Sequence, residues 1–333
     1  MEKMSDFKFV IIGSGNISRT YTTVLNKLEG MELVGMVSRS GERPDHINSS
    51  VEMGQSIREI ENDFDAVILA TPNGMHNKGA IEAANLGKHV LTEKPLDITR
   101  EAMDKMIEAC DANNVKLAVA YQRRTNPDNK IIYNLIREGK LGNIFAADMT
   151  VKNYRPDSYY ESGAWRGTRD IDGGGPFMQQ ASHNVDLYGW FFGMPSKIIS
   201  SYGTFTHDIE VEDHGAAILK HGDDMIGTII ASTSAKPGFD GKLEIHSDKG
   251  TVVLENDIIT SWQIEGMENP SQSAPEEIHS GATSASVSDT SGHENIVKDF
   301  VQAIKQDRSP LIDGKSARLA TELILEIYEN KIS

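Results

Sequence analysis

The first 124 residues alternate short apolar segments with longer stretches of helical periodicity. The apolar segments read FKFVII, MELVGMV, FDAVILA, KHVLT and VKLAVA, and the stretches between them include MHNKGAIEAANLG. Strands with no polar alternation are buried on both faces, as in a parallel sheet covered by helices. We therefore predict a doubly wound α/β domain over residues 1–124, with ligand-binding residues at the carboxyl ends of its strands.

Beyond residue 124 the pattern changes to one helix, NPDNKIIYNLIREGKLG, followed by strand-like segments joined by Gly, Asp and Asn turns. These segments are IFAADMTVKNY, SKIISSYGTFT, HGAAILKHGD, MIGTIIASTSA, KLEIHSDKGTVVLEN and IITSWQIEG. They predict a second α/β domain over residues 125–333, with a large open, mostly antiparallel sheet that serves substrate binding and oligomerisation. Two amphipathic helices close the chain, and residues 269–291, rich in Ser, Pro and Gly, indicate a long loop whose role the sequence leaves open.

Composition and charge exclude several classes of protein. A net charge of −16 argues against nucleic acid and anionic membrane surfaces as partners. Cys110 is the one cysteine, which excludes an internal disulfide framework and a cysteine-rich metal site. No window approaches about 18 continuous apolar residues and no signal peptide precedes the first glycine turn, which predicts a cytoplasmic protein. No metal site is predicted, because His76, His207, His214 and His293 have no carboxylate or cysteine at ligand spacing.

The first apolar segment runs into a glycine turn, GSGNIS, and then into a helix. Gly13 permits a tight turn, Gly15 lets backbone N–H groups approach a pyrophosphate, and the helix N-terminus adds partial positive charge. Ser18 stands where a third glycine is usual. With the strand and helix order, this turn predicts a Rossmann domain that binds a dinucleotide. Three further candidates fall at the ends of later strands: Thr71, Lys94 and Gln122.

The end of the second strand bears on the choice between NAD and NADP. A carboxylate there binds the adenosine ribose of NAD, whereas a cation accommodates the extra phosphate of NADP. This chain has Ser38, Arg39 and Arg43, and no Asp or Glu between Val34 and Gly41. We therefore predict NADP(H), with NAD(H) as the alternative in which Arg39 is a surface residue that stacks on the adenine.

The segment DGGGPFMQQASHNVD combines a glycine turn with candidate acid/base chemistry. We predict that Gly175 and Pro176 begin a helix that carries Gln179, His183 and Asp186 on one face. A histidine titrates near neutrality, so His183 suits a proton acceptor in alcohol oxidation. Asp186 is a candidate to hold its imidazole, with capping or an ion pair elsewhere as the alternative. An isolated histidine is more often an ordinary interior residue than a catalytic one. The assignment of His183 as catalytic therefore depends on the motif around it.

Five segments, in order and in spacing, resemble the Gfo/Idh/MocA family of sugar and cyclitol oxidoreductases over nearly the whole chain. They are the glycine turn, ATPNGMH, EKPL, YQRRTNP and GGGPFMQQASHNVDL. The block RPDSYYESGAWRGTRDIDGGGPFMQQASHNVDLYGWFFG and the segment THDIEVED are further similar to bacterial UDP-N-acetylglucosaminuronate 3-dehydrogenases. Those enzymes usually carry an acidic residue after the second strand and use NAD, so the segment SRS departs from their pattern.

The resemblance implies two catalytic residues: Lys94 to stabilise charge on the reacting oxygen and His183 to move the proton. Many cyclitol and simple-sugar members of the family carry Asp where this chain has Gln179, and an amide cannot act as a base. The expected cofactor contacts are Gly13, Gly15, Asn16, Ile17, Ser38, Arg39, Arg43, Thr71, Pro72, Asn73, His76, Glu93, Lys94, Gln122, Trp165 and Arg166. The expected substrate contacts are Lys94, Arg155, Tyr159, Tyr160, Arg169, Gln179, Gln180 and His183.

We therefore predict a dehydrogenase that oxidises a secondary hydroxyl, at C3, of a pyranose. A UDP-linked N-acetyl-hexuronate is the first substrate, and an unlinked sugar, sugar acid or cyclitol is the alternative. Two alternative interpretations assign the protein to another functional class: a non-catalytic sensor of NAD(P) and sugar, or a glycosidase that uses NAD transiently. Retention of both Lys94 and His183 speaks against the sensor, and the missing acidic residue after the second strand speaks against the glycosidase. We expect a homodimer or homotetramer.

Overall fold

The computed structural model describes residues 7–271, 273 and 289–332, so most of the predicted loop over 269–291 lies outside the described residues. The chain divides into two compact units. The first comprises the described residues of Met1–Gln122 and Val287–Arg318. The second comprises those of Arg123–Ser286 and Leu319–Ser333.

Strands and helices follow the chain in this order. The strands are β1 (Phe7–Ile12), β2 (Met31–Val37), β3 (Glu52–Gly54), β4 (Ala66–Leu69), β5 (His89–Thr92), β6 (Leu117–Val119), β7 (Ile144–Lys152), β8 (Lys197–Gly203), β9 (His214–His221), β10 (Met225–Ser232), β11 (Lys242–Ser247), β12 (Gly250–Glu255) and β13 (Ile258–Ile264). The α-helices are α1 (Asn16–Lys27), α2 (His76–Asn85), α3 (Arg100–Ala112), α4 (Pro127–Arg137), α5 (Asp157–Glu161), α6 (Ser182–Phe192), α7 (Ser291–Lys305) and α8 (Gly314–Glu329).

The first unit contains a parallel sheet in the order β3-β2-β1-β4-β5-β6, which confirms the predicted doubly wound fold. The short edge strand β3 is an addition to the prediction. The middle strands are apolar because both faces are covered, and all four residues of β4 are buried. Since β1, β4 and β5 are neighbours and run parallel, the residues that follow them lie at one edge of the sheet.

The second unit contains a sheet in the order β13-β12-β11-β7-β10-β9-β8. Neighbouring strands in this sheet pair antiparallel, except β7 and β10, which pair in parallel. The prediction of a mostly antiparallel sheet is therefore confirmed. One face of the sheet packs a core that includes Met149, Phe177, Tyr188, Leu219 and Ile229. On the other face, exposed apolar side chains include Ile199, Ile218 and Ile226.

Two features differ from the sequence predictions. Residues 289–318, assigned to the second domain by the sequence pattern, cluster with the first unit. The helix predicted from Gly175 begins only at Ser182, and a turn precedes it in which the Ala181 N–H donates to the Pro176 carbonyl at 2.8 Å. Among the described residues, no helix has the length and apolar character needed to cross a membrane.

Candidate active site

The glycine turn after β1 has one glycine that the protein needs and one that it does not. Gly13 has φ +111°, and a Cβ there would lie 2.4 Å from the Ala70 carbonyl oxygen. Its N–H donates to the Val37 carbonyl at 2.8 Å, which ties the turn to the end of β2. Gly15 is the N-cap of α1, is exposed, and a Cβ there would meet nothing within 4 Å. Space above Gly15 and the free N–H groups of a helix start suit a bound phosphate.

The contacts of Ser18 account for a serine at the position where a third glycine is usual. The side chain is fully buried, and its hydroxyl donates to the Gly15 carbonyl at 2.6 Å. His46 Nε2 lies 3.0 Å from the same hydroxyl. A small residue is required at this position, and serine adds two hydrogen bonds that hold the turn.

At the end of β2 the two arginines differ in availability. Arg39 is exposed and makes no hydrogen bond or ion pair with the described residues. Arg43 donates from Nη1 to the Asn48 carbonyl at 2.5 Å, and Ser38 is buried with its hydroxyl 3.4 Å from the Glu42 carbonyl. Arg39 is therefore the better placed cation for a ligand.

In the segment after β4, the Thr71 side chain is suited to bind a polar ligand. The Thr71 hydroxyl oxygen is buried and has no hydrogen-bond partner among the described residues. Pro72 and Asn73 follow it into a short 3-10 turn, Asn73–Met75. A buried hydroxyl beside the Gly13 turn fits the expected dinucleotide, because an unpaired polar group of this kind is costly without a bound partner.

His76 is fully buried, and its predicted contact with the cofactor stays a prediction. Its Nδ1 lies 2.8 Å from the Pro95 carbonyl and its Nε2 lies 3.0 Å from the Thr71 carbonyl. The imidazole thus joins the segment after β4 to the segment after β5.

Glu93 is also held inside the first unit. Its Oε1 accepts a 2.7 Å hydrogen bond from the Tyr21 hydroxyl, and the Lys94 N–H donates to Oε2 at 3.3 Å. His293 Nε2, from α7, lies 3.6 Å from Oε1. Burial acts to raise the pKa of Glu93, but His293, Tyr21 and the Lys94 charge outweigh it and lower the pKa. The Glu93 carboxylate thus contacts the backbone of Lys94, and the expected cofactor contact by the Glu93 side chain stays a prediction.

Lys94 and Gln122 follow β5 and β6, where the prediction puts them. The Lys94 side chain is half-buried, and the Lys94–Pro95 peptide bond is cis. Gln122 packs on the first turn of α7, since a Cβ at Gly292 would lie 2.8 Å from Gln122 Cγ.

The second unit brings several predicted residues into one cluster around Tyr159. The Arg166 guanidinium lies over the Tyr159 ring at 4.3 Å and over the Trp165 ring at 4.7 Å. The Arg155 guanidinium lies 5.6 Å from the Tyr159 ring, and Gln180 Nε2 donates to the Tyr159 hydroxyl at 3.3 Å. Arg155 is buried, and Tyr159 and Arg166 are half-buried. Two cations beside a phenol suit an anionic, hydroxyl-bearing ligand.

Tyr160 belongs to the same cluster. Its ring meets that of Tyr159 edge-on at 5.1 Å, and its hydroxyl donates to Thr233 Oγ1 at 2.8 Å. Burial raises the pKa of Tyr159, and it raises the pKa of Tyr160 to about 12. Both phenols therefore stay protonated at neutral pH; the Tyr160 hydroxyl donates to Thr233, whereas the Tyr159 hydroxyl accepts from Gln180.

Asp172 is a residue of this cluster that the sequence predictions missed. Its carboxylate accepts from the Gln179 side-chain amide and, at 2.8 Å, from the Gly167 N–H. A carboxylate thus lies beside Gln179 although none is present at that position itself. Arg169 is exposed and its Nε donates to the Glu210 carbonyl at 3.2 Å, so it lies at the surface beside this loop.

His183 is the second residue of α6 and is half-buried. The predicted support by Asp186 is wrong, because that carboxylate pairs with Arg124 at 2.8 Å (Nε to Oδ2) and 2.5 Å (Nη2 to Oδ1). Gln179 lies in the preceding turn rather than on the helix. The alternative of an ion pair elsewhere therefore holds for Asp186.

Two neighbouring carboxylates, Glu212 and Asp213, fasten the loops of this unit. Glu212 accepts from the Gly175 N–H at 3.0 Å and from the Tyr328 hydroxyl at 2.8 Å. Asp213 accepts from the backbone of the loop before it, and His207 Nδ1 lies 3.0 Å from its Oδ2. Both acids belong to the segment THDIEVED. In the sequence, only the resemblance of this segment to the family pointed to the loop.

The fold gives carboxylate partners to two histidines that have none by sequence spacing: His207 pairs with Asp213 and His293 with Glu93. Each of these contacts joins one histidine to one carboxylate. In the part of the chain that the structure describes, no group of three or more His, Cys, Asp or Glu side chains is arranged to hold a metal ion.

Comparison with known proteins defines the class first. Residues 7–121 match the model described as "Oxidoreductase family, NAD-binding Rossmann fold", so this chain is an oxidoreductase with an NAD-binding domain. Residues 130–253 match the model of the Gfo/Idh/MocA C-terminal domain. The chain belongs to the Gfo/Idh/MocA family.

Individual relatives agree with this family. The WlbA dehydrogenase of Bordetella pertussis, solved in complex with NADH and UDP-GlcNAcA, is similar with a TM-score of 0.85 and 28% identity, covering 98% of this chain and 96% of that one. The scyllo-inositol 2-dehydrogenase (NADP(+)) IolW of Bacillus subtilis (strain 168) is 26% identical over 75% of this chain and 69% of its own length. Oxidoreductase P35 of Formosa agariphila is 29% identical over 66% of this chain and 70% of its own length.

Proposed function

We propose that this protein is an NAD(P)-dependent dehydrogenase that oxidises a secondary hydroxyl, at C3, of a pyranose carried on UDP, with an N-acetyl-hexuronate as the sugar. The observation that carries the proposal is the cluster of Arg155, Tyr159 and Arg166, with two guanidinium groups 5.6 and 4.3 Å from one phenol ring. In a chain of net charge −16, paired arginines at a polar cluster suit a ligand that carries carboxylate or phosphate groups. The similarity to a WlbA dehydrogenase complexed with UDP-GlcNAcA supports the same substrate class.

The chemistry divides between two side chains. When bound, the nicotinamide accepts the hydride that leaves the oxidised carbon. Lys94 donates a hydrogen bond to the reacting oxygen and stabilises its developing negative charge. His183 accepts the hydroxyl proton in oxidation and returns it in reduction. Gln179 and Gln180 hydrogen-bond sugar hydroxyls, since an amide is not a base.

The first unit offers the groups that would hold the cofactor. Gly15 with the start of α1 receives the pyrophosphate, Thr71 binds beside it, and Arg39 takes the phosphate of NADP. Arg39 and the absence of an acid between Val34 and Gly41 favour NADP(H), as does the likeness to an NADP(+)-dependent relative. NAD(H) is the alternative, favoured by the NADH complex of the WlbA relative.

The sheet of the second unit supports a homo-oligomer as the assembly. Ile218 and Ile226 are 52% and 56% exposed on adjacent strands, and Phe145 is 56% exposed on β7. Exposed apolar side chains on one sheet favour association. We propose a homodimer or homotetramer, and the native mass of the purified protein measures it.

One panel of substrates tests the reaction. The purified protein is incubated with NAD⁺ or NADP⁺ and with UDP-N-acetylglucosaminuronate, its unlinked sugar acid or scyllo-inositol, and reduced cofactor is followed. We expect the UDP-linked sugar to give reduced cofactor and a product two hydrogens lighter by mass spectrometry. Turnover of scyllo-inositol alone would instead favour the cyclitol alternative. Binding without turnover would indicate a sensor, and release of UDP or sugar without reduced cofactor would indicate hydrolysis.

A further inference from the structure

A buried polar group behind Lys94 is not used by the reaction just described. It consists of Tyr21 on α1, Glu93 after β5 and His293 on α7, which we call the Glu93 anchor. Tyr21 is fully buried, and His293 is 3% exposed. The sequence separates Tyr21 from Glu93 by 72 residues and Glu93 from His293 by 200, so only the fold assembles them.

Tyr21, His293 and the Lys94 backbone all contact the Glu93 carboxylate. The Tyr21 hydroxyl donates to Oε1 at 2.7 Å, and His293 Nε2 lies 3.6 Å from that atom. The tyrosine and histidine rings meet edge-on with their centroids 5.4 Å apart, which fixes both against the carboxylate. The other oxygen, Oε2, accepts the Lys94 N–H at 3.3 Å.

A buried carboxylate needs such partners, because an ion removed from water is strongly destabilised unless it is paired and hydrogen-bonded. Here two partners come from helices that flank the sheet, and the third is the backbone of the proposed catalytic lysine. Removing one partner leaves Glu93 free to shift toward another arrangement, and the Lys94 backbone would shift with it.

We propose that Tyr21 and His293 are positioning residues for Lys94, acting through Glu93 to fix the backbone from which the lysine side chain extends. The inference rests on the proposed role of Lys94 in the reaction. It assigns a function to α7, which the sequence pattern placed in the second domain.

The test compares Tyr21→Phe, His293→Ala and His293→Gln with Glu294→Gln in the full chain. Tyr21→Phe removes one hydroxyl with little change in volume, and glutamine at 293 keeps a donor. Glu294 is next to His293 on α7 and pairs with Lys27 on α1 at 3.1 Å, so its variant perturbs the same two helices without touching Glu93.

Two measurements separate anchoring from catalysis. Hydrogen exchange of the Lys94 amide, followed by mass spectrometry of its peptide without any ligand, is expected to accelerate at least about tenfold in Tyr21→Phe and His293→Ala and to stay unchanged in Glu294→Gln. With UDP-N-acetylglucosaminuronate as the probe, kcat is expected to fall about tenfold in the same variants while the cofactor KM stays within about twofold, because misplacing a catalytic group slows the chemical step. His293→Gln should recover part of both.

Unchanged exchange in Tyr21→Phe and His293→Ala would overturn the anchor. Faster exchange with unchanged kcat would overturn its role in positioning Lys94. A wild-type protein inactive on every sugar would overturn the proposed function instead, and the exchange data would still decide whether Glu93 holds the Lys94 backbone.

Discussion

The molecule contains two glycine-rich turns that look alike in sequence and differ in what requires the glycine. In the first unit a Cβ at Gly15 would meet nothing within 4 Å, whereas in the second a Cβ at Gly175 would lie 1.8 Å from the Glu212 carbonyl oxygen. Packing explains Gly175 completely. It does not explain Gly15, and we propose that this glycine lies close to a phosphate of the bound cofactor.

The largest effect is expected for Gly175→Ala. Its new methyl group would overlap backbone atoms that cannot move like a flexible side chain, so the GGGPF turn must open. We expect the free energy of unfolding to fall by at least about 4 kcal/mol, as for severe overpacking in a core. Urea unfolding of the purified variant measures it. A variant as stable as the wild type would show that the turn relaxes easily and would remove the contrast with Gly15.

A smaller loss is expected for Asp213→Asn, which removes the carboxylate that fastens the loop beside the GGG turn. Asp213 accepts from the Phe205 N–H at 2.8 Å, the Thr206 N–H at 2.7 Å and the Thr206 hydroxyl at 2.9 Å. Burial acts to raise the pKa of Asp213, but these hydrogen bonds outweigh it and lower the pKa to about 2. We expect a cost of about 2–4 kcal/mol at neutral pH, since several donors lose a charged acceptor.

The pH dependence of Asp213 follows from the sign of its shift. A carboxyl whose folded pKa is below its unfolded value stabilises the protein above the unfolded pKa, and that contribution is lost as the pH falls through the folded pKa. Wild-type stability should therefore decline from about the usual value of 3.8 down to about 2, and Asp213→Asn should lack this part of the decline. Glu212→Gln is the matched control, because burial raises the pKa of Glu212 and its pH dependence has the opposite direction. Equal acid profiles for Asp213→Asn and the wild type would contradict the account.

Gly15→Ala should separate binding from folding. Because a Cβ there meets open space and φ is −75°, we expect stability to change by no more than about 1 kcal/mol, the scale of an N-cap substitution. The methyl group would keep a phosphate from the helix start, so the cofactor Kd should rise about 10- to 100-fold through the loss of one or two charged hydrogen bonds. Isothermal titration with NAD(H) and NADP(H) measures it. Unchanged affinity would contradict the ligand explanation of Gly15.

Arg39→Ala should have the smallest effect, and only on one cofactor. Removing an exposed cation that meets the extra phosphate should lower kcat/KM for NADP⁺ about tenfold, the worth of one charged hydrogen bond, and leave NAD⁺ within about twofold. Arg43→Ala is the comparison, since that guanidinium is occupied by the Asn48 carbonyl. An equal effect on both cofactors would show that Arg39 contacts the adenine rather than a phosphate.

The order of strands and helices was predictable because it depends on local patterns, whereas the partners of buried charged groups were not. Parallel strands with apolar sequences put Gly13, Thr71 and Lys94 at one sheet edge, and pattern alone is enough for that. The partner of Asp186 lies 62 residues away at Arg124, and no periodicity points to it. The start of α6 was misplaced because the GGG segment is shaped by contacts with Glu212 and Tyr328 rather than by helix capping. Long-range polar contacts decide the details of this site.

The central claim is that Lys94 and His183 carry out the oxidation, and their alanine variants test it most directly. Initial rates are measured with UDP-N-acetylglucosaminuronate and both cofactors for the wild type, Lys94→Ala, His183→Ala and, as a control on the exposed surface of α2, Lys78→Ala. We predict rates about 1,000-fold lower for the first two variants with unchanged folding, and a wild-type rate for Lys78→Ala. Full turnover by Lys94→Ala or His183→Ala would contradict the account.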